Sequence, residues 1–266
     1  MLDFTAADAA RLWPLVAALF GLIIGSFANV CIHRLPLGES VVAPPSRCPR
    51  CGAPLRWWDN LPLVSFAVLR GRCRQCSARI SARYPLVEAA NAALWFLLAQ
   101  SHGPSVRGVA TLAFATALLV LAAIDLEHQL LPDLITLPGI LLGIALSFAP
   151  ASPVPPLESV VAAVGGYVAF MCVATIWKRL RGIEALGQGD WKFAAMLGAF
   201  LGWQPLLLTV MLATCVGSVV GGLLVAAGRG HAQTKLPLGT FLGLAGIVVL
   251  FVGDPVISWY GELLRA

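Results

Sequence analysis

The chain has 266 residues, 59% of them hydrophobic and only 12% charged, with a net charge of +5. Soluble domains carry charge on about a quarter of their residues, so this composition excludes an ordinary soluble protein and places the chain in a bilayer. The positive charge could suggest a nucleic-acid partner, but the distribution of basic residues explains it as a topology signal, and no nucleic acid is expected.

The start, Met1 to Asp8, is acidic where a secretory signal would be basic, and the apolar run behind it is long enough to span, which reads as a retained first helix. A spanning helix needs about 20 apolar residues. Eight stretches are candidates, near 12–32, 85–100, 106–124, 133–149, 158–178, 191–202, 204–227 and 239–261. The sixth is shorter than a full span, so it is expected to join the loop before it or to enter the membrane obliquely. If the helices alternate, the connections starting near 33, 125, 179 and 228, with Lys192, hold 15 of the 18 Lys and Arg residues. By the positive-inside rule that side is cytoplasmic and both termini lie outside. The expected fold is an all-α polytopic membrane bundle of about eight transmembrane helices with one small cytoplasmic loop domain, residues 33–84. Small residues four apart (Gly21 and Gly25, Gly139 and Gly143, Gly198 and Gly202, Gly217 and Gly221) predict close helix packing within the chain.

The loop contains Cys48-Pro49-Arg50-Cys51 and Cys73-Arg74-Gln75-Cys76, two knuckles separated by 21 residues. Four thiolates at that spacing can close a tetrahedral zinc shell. Disulfides or a redox-active pair are the alternative. A loop facing the reducing cytoplasm disfavours stable disulfides, and no thioredoxin-like pattern surrounds it. The zinc is expected to be structural, because a four-cysteine shell leaves no open position and a loop this small and polar has little core of its own. Cys31, Cys172 and Cys215 lie in or beside apolar spans and read as small packing residues.

Two acids stand where helices meet the cytoplasmic face. Asp125 follows the run Leu118 to Ile124, and Asp190 closes Gly187-Gln188-Gly189-Asp190. Ionisable groups at membrane depth are costly and usually functional, although a carboxylate at a helix end can simply cap it. Both acids fall at one depth on one side. Two carboxylates brought together cannot both ionise readily, so one keeps a proton while the other stays charged, the arrangement of aspartic proteases. Asp133 is the second choice for the first position. Glu127, Glu184 and His128 read as solvated loop residues. No serine-hydrolase or zincin motif is present.

Ile124 to Asp133 followed by Leu137-Pro138, together with Gly187-Gln188-Gly189-Asp190-Trp191-Lys192, resembles the two aspartate motifs of the prepilin peptidases, or type IV leader peptidases, which are GxGD-type aspartyl proteases. Gly25 to Val30 with His33-Arg34-Leu35-Pro36, the paired knuckles, Arg83 to Glu88, and Lys235 to Leu242 fit the same family. Ala28 and Leu238 are minor departures, where a larger apolar residue and Phe are common. The resemblance implies that Asp125 and Asp190 are catalytic. It also implies cleavage of a short basic leader from prepilins and type II secretion pseudopilins at the cytoplasmic face of the bacterial inner membrane.

Bifunctional members then methylate the new N-terminus with S-adenosylmethionine, and Gly25, Asn29 and Arg34 would belong to that part. The corresponding division is residues 1–105, with the first two helices and the cysteine loop, and residues 106–266, a six-helix peptidase domain. No nucleotide-binding glycine loop supports the methyl donor independently. The alternative readings are a membrane transporter, which predicts acids near mid-membrane in two related halves, or a non-proteolytic assembly scaffold with structural aspartates.

Overall fold

A computed structural model describes residues 6–150, 152–182, 186–229 and 235–265. The expectation for Glu184 and the first five residues of the acidic start lie outside the described residues. Nine α-helices are described: α1 Ala6–Arg34, α2 Val64–Val68, α3 Arg83–Ser101, α4 Val106–His128, α5 Asp133–Ser147, α6 Pro156–Arg181, α7 Gln188–Leu201, α8 Trp203–Ala226 and α9 Leu238–Leu263. Short 3-10 turns lie at Leu35–Leu37 and Trp57–Asn60, and the described residues contain no strand beyond two isolated bridges in the loop.

Each of the eight predicted stretches is helical, and five helices are long and apolar enough to cross a membrane: the segments Ala10–Leu37, Val106–His128, Pro156–Arg181, Trp203–Ala226 and Leu238–Leu263. The count of eight spans is not matched by these criteria. α5 and α7 have 15 and 14 residues, about 22 and 21 Å of helix, and α3 carries Arg83, Glu88 and Asn91 among its apolar residues. Local signals explain the ends. α6 finishes on Lys178, Arg179 and Arg181, cations that suit the negative helix terminus, and Gly182 (φ 69°) stops it in the left-handed region. α1 likewise ends on His33 and Arg34.

The chain divides into two compact units, Met1–Val120 and Leu121–Ala266. In the first, α1 packs along α3 through Gly21 and Gly25. A Cβ on Gly21 would meet Ala92 Cα at 3.0 Å, and one on Gly25 would meet Glu88 Cα at 2.9 Å, so the backbones touch. A buried polar chain reinforces the contact. Asn91 donates to the Gly21 carbonyl (2.7 Å), the Thr116 hydroxyl donates to Asn91 Oδ1 (2.8 Å), and the Trp95 indole donates to Thr116 (2.9 Å). Such bonds in membrane bundles contribute on the order of 0.6 kcal/mol each and fix register.

In the second unit the short helix α7 is the centre. Phe193 to Ala199 are all buried, with α5, α6, α8 and α9 packed around them. Gly143 of α5 meets Ala199 and Phe200, while Gly198 of α7 meets the backbone of Ala162 and Ala163 on α6. The small-residue pairs thus serve packing inside one chain, as expected. Cys172 and Cys215 differ from expectation. They are exposed on α6 and α8 rather than packed, among exposed Val168, Val173 and Met211 on the apolar surfaces of these helices.

Candidate functional site

Asp125 lies inside α4. The helix was expected to end near residue 124, but it continues to His128 because no breaker intervenes before Gln129 (φ 50°) and Pro132. Asp125 is 5% exposed. Its Oδ2 accepts the Thr240 backbone N–H at 2.7 Å, with the Thr240 hydroxyl at 3.3 Å. That hydroxyl also donates to the Ala122 carbonyl at 3.0 Å, so the first turn of α9 clasps the last turns of α4. The clasp requires glycine at 239, where a Cβ would stand 2.9 Å from Asp125 Cγ and 2.9 Å from Leu131 Cδ2.

Asp190 occupies the first turn of α7. The helix starts at Gln188, so the Gly-x-Gly-Asp segment runs directly into it, and the expected joining of loop and short helix is seen. Asp190 Oδ2 accepts the Gly187 N–H at 2.9 Å. Buried Leu131 lies against both motifs, because a Cβ on Gly189 would meet its Cβ at 3.0 Å and one on Gly239 would meet its Cδ2.

Asp133 is differently placed. It is exposed on α5, where Lys192 Nζ donates to both of its oxygens at 2.8 and 2.7 Å. This pair ties the segment after Asp125 to the turn that carries Asp190. Glu127 and His128 are exposed on the last turn of α4, with His128 Nε2 at 3.8 Å from Glu127. Thr240, Leu131 and the Asp133–Lys192 pair were not assigned roles from sequence. Leu131, Asp133 and Lys192 lie within the two aspartate motifs and Thr240 within the Lys235 to Leu242 segment, but none shows a positioning role until the helices bring them together.

In the first unit the four cysteine sulfurs of Cys48, Cys51, Cys73 and Cys76 lie within 4.8 Å of one another, with Cys48 and Cys76 at 3.9 Å, and none is in a disulfide. The cluster could hold a metal ion. The two knuckles have the same local geometry. Cys48 and Cys73 donate their N–H to the carbonyls of Ala53 and Ala78, and each turn closes through a left-handed residue, Gly52 (φ 71°) and Ser77 (φ 55°). Backbone N–H groups of Cys51 and Arg50 bring the Cys48 thiol down to about 6, preparing a thiolate. Arg74 donates twice to Asp59 (3.1 and 2.7 Å), bracing the loop, and holds its carboxyl below the usual range.

Asn29 and Arg34 line a cavity of about 1370 Å³ between the cysteine loop and helices α1 and α3. Arg34 donates to the carbonyls of Ser40 (2.9 Å) and Pro44 (2.8 Å), shaping the wall. Asn29 is 1% exposed. Its Nδ2 donates to the carbonyls of Tyr84 (3.0 Å) and Gly25 (3.3 Å), while its Oδ1 has no partner among the described residues. Gly25 stands outside the cavity lining, at the α1–α3 contact.

Two known family models match the chain. Residues 19–102 match the model described as the bacterial peptidase A24 N-terminal domain, and residues 112–222 match the type IV leader peptidase family. The chain is similar to proteins named prepilin leader peptidase/N-methyltransferase. The one from Pseudomonas putida is 38% identical, covering 94% of each chain, and the one from Pseudomonas aeruginosa is 37% identical, covering 98% of this chain and 97% of its own.

The chain belongs to the type IV leader peptidase family.

The Aeromonas hydrophila relative is 39% identical over 91% of each chain. No solved structure matches significantly. The first family match contains the four cysteines and Asn29, and the second contains Asp125 and Asp190. With its five candidate spans, this leader peptidase family member is an integral membrane protein.

Proposed function

We propose that the chain is an aspartyl endopeptidase that removes the basic leader from type IV prepilins and type II secretion pseudopilins and then methylates the new N-terminal amine. The observation that carries the proteolytic reading is the pair of aspartates, each held by a backbone N–H at a helix end in the second unit, with Leu131 lying against Gly189 beside one and Gly239 beside the other. In that pair one carboxylate removes a proton from the attacking water. The other, protonated, donates a hydrogen bond to the scissile carbonyl and later gives its proton to the leaving amine. The site is read as lying at the cytoplasmic face of the bacterial inner membrane, where a substrate with a basic leader and an apolar helix would present its junction.

The sulfur spacing supports zinc in the cysteine cluster, since Zn–S bonds of about 2.3 Å in a tetrahedron put neighbouring sulfurs about 3.8 Å apart. Residues 1–105 are assigned the methylating part and 106–266 the peptidase domain. The cavity on α1 and α3, about 1370 Å³, is large enough to admit S-adenosylmethionine beside the substrate's N-terminus, and Asn29 Oδ1 leaves an acceptor there without a described donor. When bound there, the donor supplies an electrophilic methyl group. Arg34 would keep the wall in shape, and Gly25 would keep α1 close to α3.

Mass spectrometry of a prepilin-like peptide incubated with the purified protein and S-adenosylmethionine tests both activities. The expected products are the free leader, cut after glycine, and a mature peptide heavier by one methyl group. Intact substrate would overturn the proteolytic reading, and an unmethylated product would overturn the second.

A further inference from the structure

Three acidic residues line the cavity of the first unit, Glu39, Asp59 and Glu88. Glu39 is exposed at the rim, and Asp59 is paired with Arg74. Glu88 is different. It lies in α3 with 7% of its surface exposed, its Oε2 accepts the Leu63 N–H at 2.8 Å, and no described cation forms an ion pair with it. A buried carboxylate without a compensating cation is costly, so such a group is an expected site of function rather than of stability.

Asn29 stands on another wall of the same cavity. Both of its described hydrogen bonds come from Nδ2, which leaves Oδ1 without a donor among the described residues. Gly25, four residues before Asn29 on α1, brings that helix against the backbone of Glu88 itself, so the two acceptors are carried on touching helices. One carboxylate and one neutral acceptor lining the same cavity match the chemistry of a primary ammonium group, which has three N–H donors and no acceptor.

We propose that Glu88 accepts the proton from the substrate's new N-terminal ammonium while Asn29 Oδ1 holds the amine for methylation. This rests on the N-methyltransferase reading above. The substrate arrives as R–NH3+, which has no lone pair. One proton passes to the Glu88 carboxylate. The neutral amine then forms an N–C bond to the methyl carbon of the sulfonium donor, while the C–S bond breaks and its electron pair stays on sulfur. The product is R–NH2+–CH3 with a neutral thioether, and Glu88 returns its proton to solvent.

The test uses the full chain in lipid and the variant Glu88→Gln, which keeps an oxygen for the Leu63 N–H. Methylation and cleavage of a prepilin peptide are followed from pH 6 to 9, with equilibrium binding of S-adenosylhomocysteine alongside. At pH 7, where only about a tenth of an N-terminal amine with a pKa of about 7.7–8.0 is already neutral, methylation by the variant is expected to fall about 5- to 10-fold. It should then recover to near the wild-type rate as the pH rises past about 8 and the amine deprotonates unaided. Cleavage and S-adenosylhomocysteine binding are expected to hold within about twofold.

Wild-type methylation by the variant, or an equal loss at every pH, overturns the assignment, and so does loss of S-adenosylhomocysteine binding, which marks a structural role. If the wild-type protein itself transfers no methyl, the N-methyltransferase reading falls and this assignment with it. A proficient wild type beside a proficient variant rejects Glu88 alone.

Discussion

Adding one methyl group at Gly239 should disable the peptidase while leaving the protein folded. In Gly239→Ala the new Cβ would lie 2.9 Å from Asp125 Cγ, 3.0 Å from its Oδ2 and 2.9 Å from Leu131 Cδ2, where ordinary contacts begin at about 3.4 Å. Something must shift by about 0.5 Å. Leu131 is buried against Gly189 on its other side, so the Asp125 carboxylate has to yield, and its 2.7 Å bond from the Thr240 N–H stretches or breaks. Misplacement of a catalytic group by about 1 Å can cost 100-fold, so a shift half as large should reduce cleavage about 10- to 100-fold. The overpacking should cost about 1–3 kcal/mol of stability. Initial rates on a prepilin substrate, measured with the thermal unfolding midpoint, separate the two effects. A variant that cleaves within about twofold of wild type would refute the claim that the Gly239-Thr240 turn positions Asp125.

The half-exposed Lys192–Asp133 pair should contribute at most about 1 kcal/mol to stability, but it links the segments that carry the two aspartates. Lys192→Ala and Asp133→Ala are each expected to slow cleavage a few-fold, with the double variant no slower than either, since paired residues are not additive. Losses that multiply in the double variant would show that the two residues act separately. In the first unit, Cys48→Ser or strong chelation should remove the bound metal, measured per chain by elemental analysis, and unfold the cysteine loop. Methylation should then be lost while cleavage stays within about twofold. Retention of a full metal complement by Cys48→Ser would contradict a four-sulfur site.

The helices were legible because each apolar run is flanked by polar or glycine punctuation, and the cysteine cluster because thiolate spacing is a local property. Their membrane role was less legible. α7 has 14 residues and is buried by four neighbouring helices rather than matched in length to a bilayer, which composition alone does not distinguish from a span. Asp125 and Asp190 stood out as acids beside apolar runs. The groups that position them did not, because they are remote in sequence: Thr240 is 115 residues from Asp125, and Lys192 is 59 from Asp133. Threonine, leucine and glycine advertise no chemistry until a helix end places them against a carboxylate. Glu88 was noted only as the end of the Arg83 to Glu88 segment, without a role, because its contact with the loop folded back over α3 is tertiary and periodicity does not encode it.

Single-turnover cleavage by Asp125→Asn and Asp190→Asn tests the central claim most directly. Asn preserves shape and an acceptor oxygen for the N–H bonds to Thr240 and Gly187 but cannot exchange the proton. Both variants are predicted to unfold at the wild-type temperature within a few degrees and to cleave at least about 1,000-fold more slowly, as expected when either half of an acid–base pair is removed. Normal cleavage by either folded variant would contradict the aspartyl mechanism.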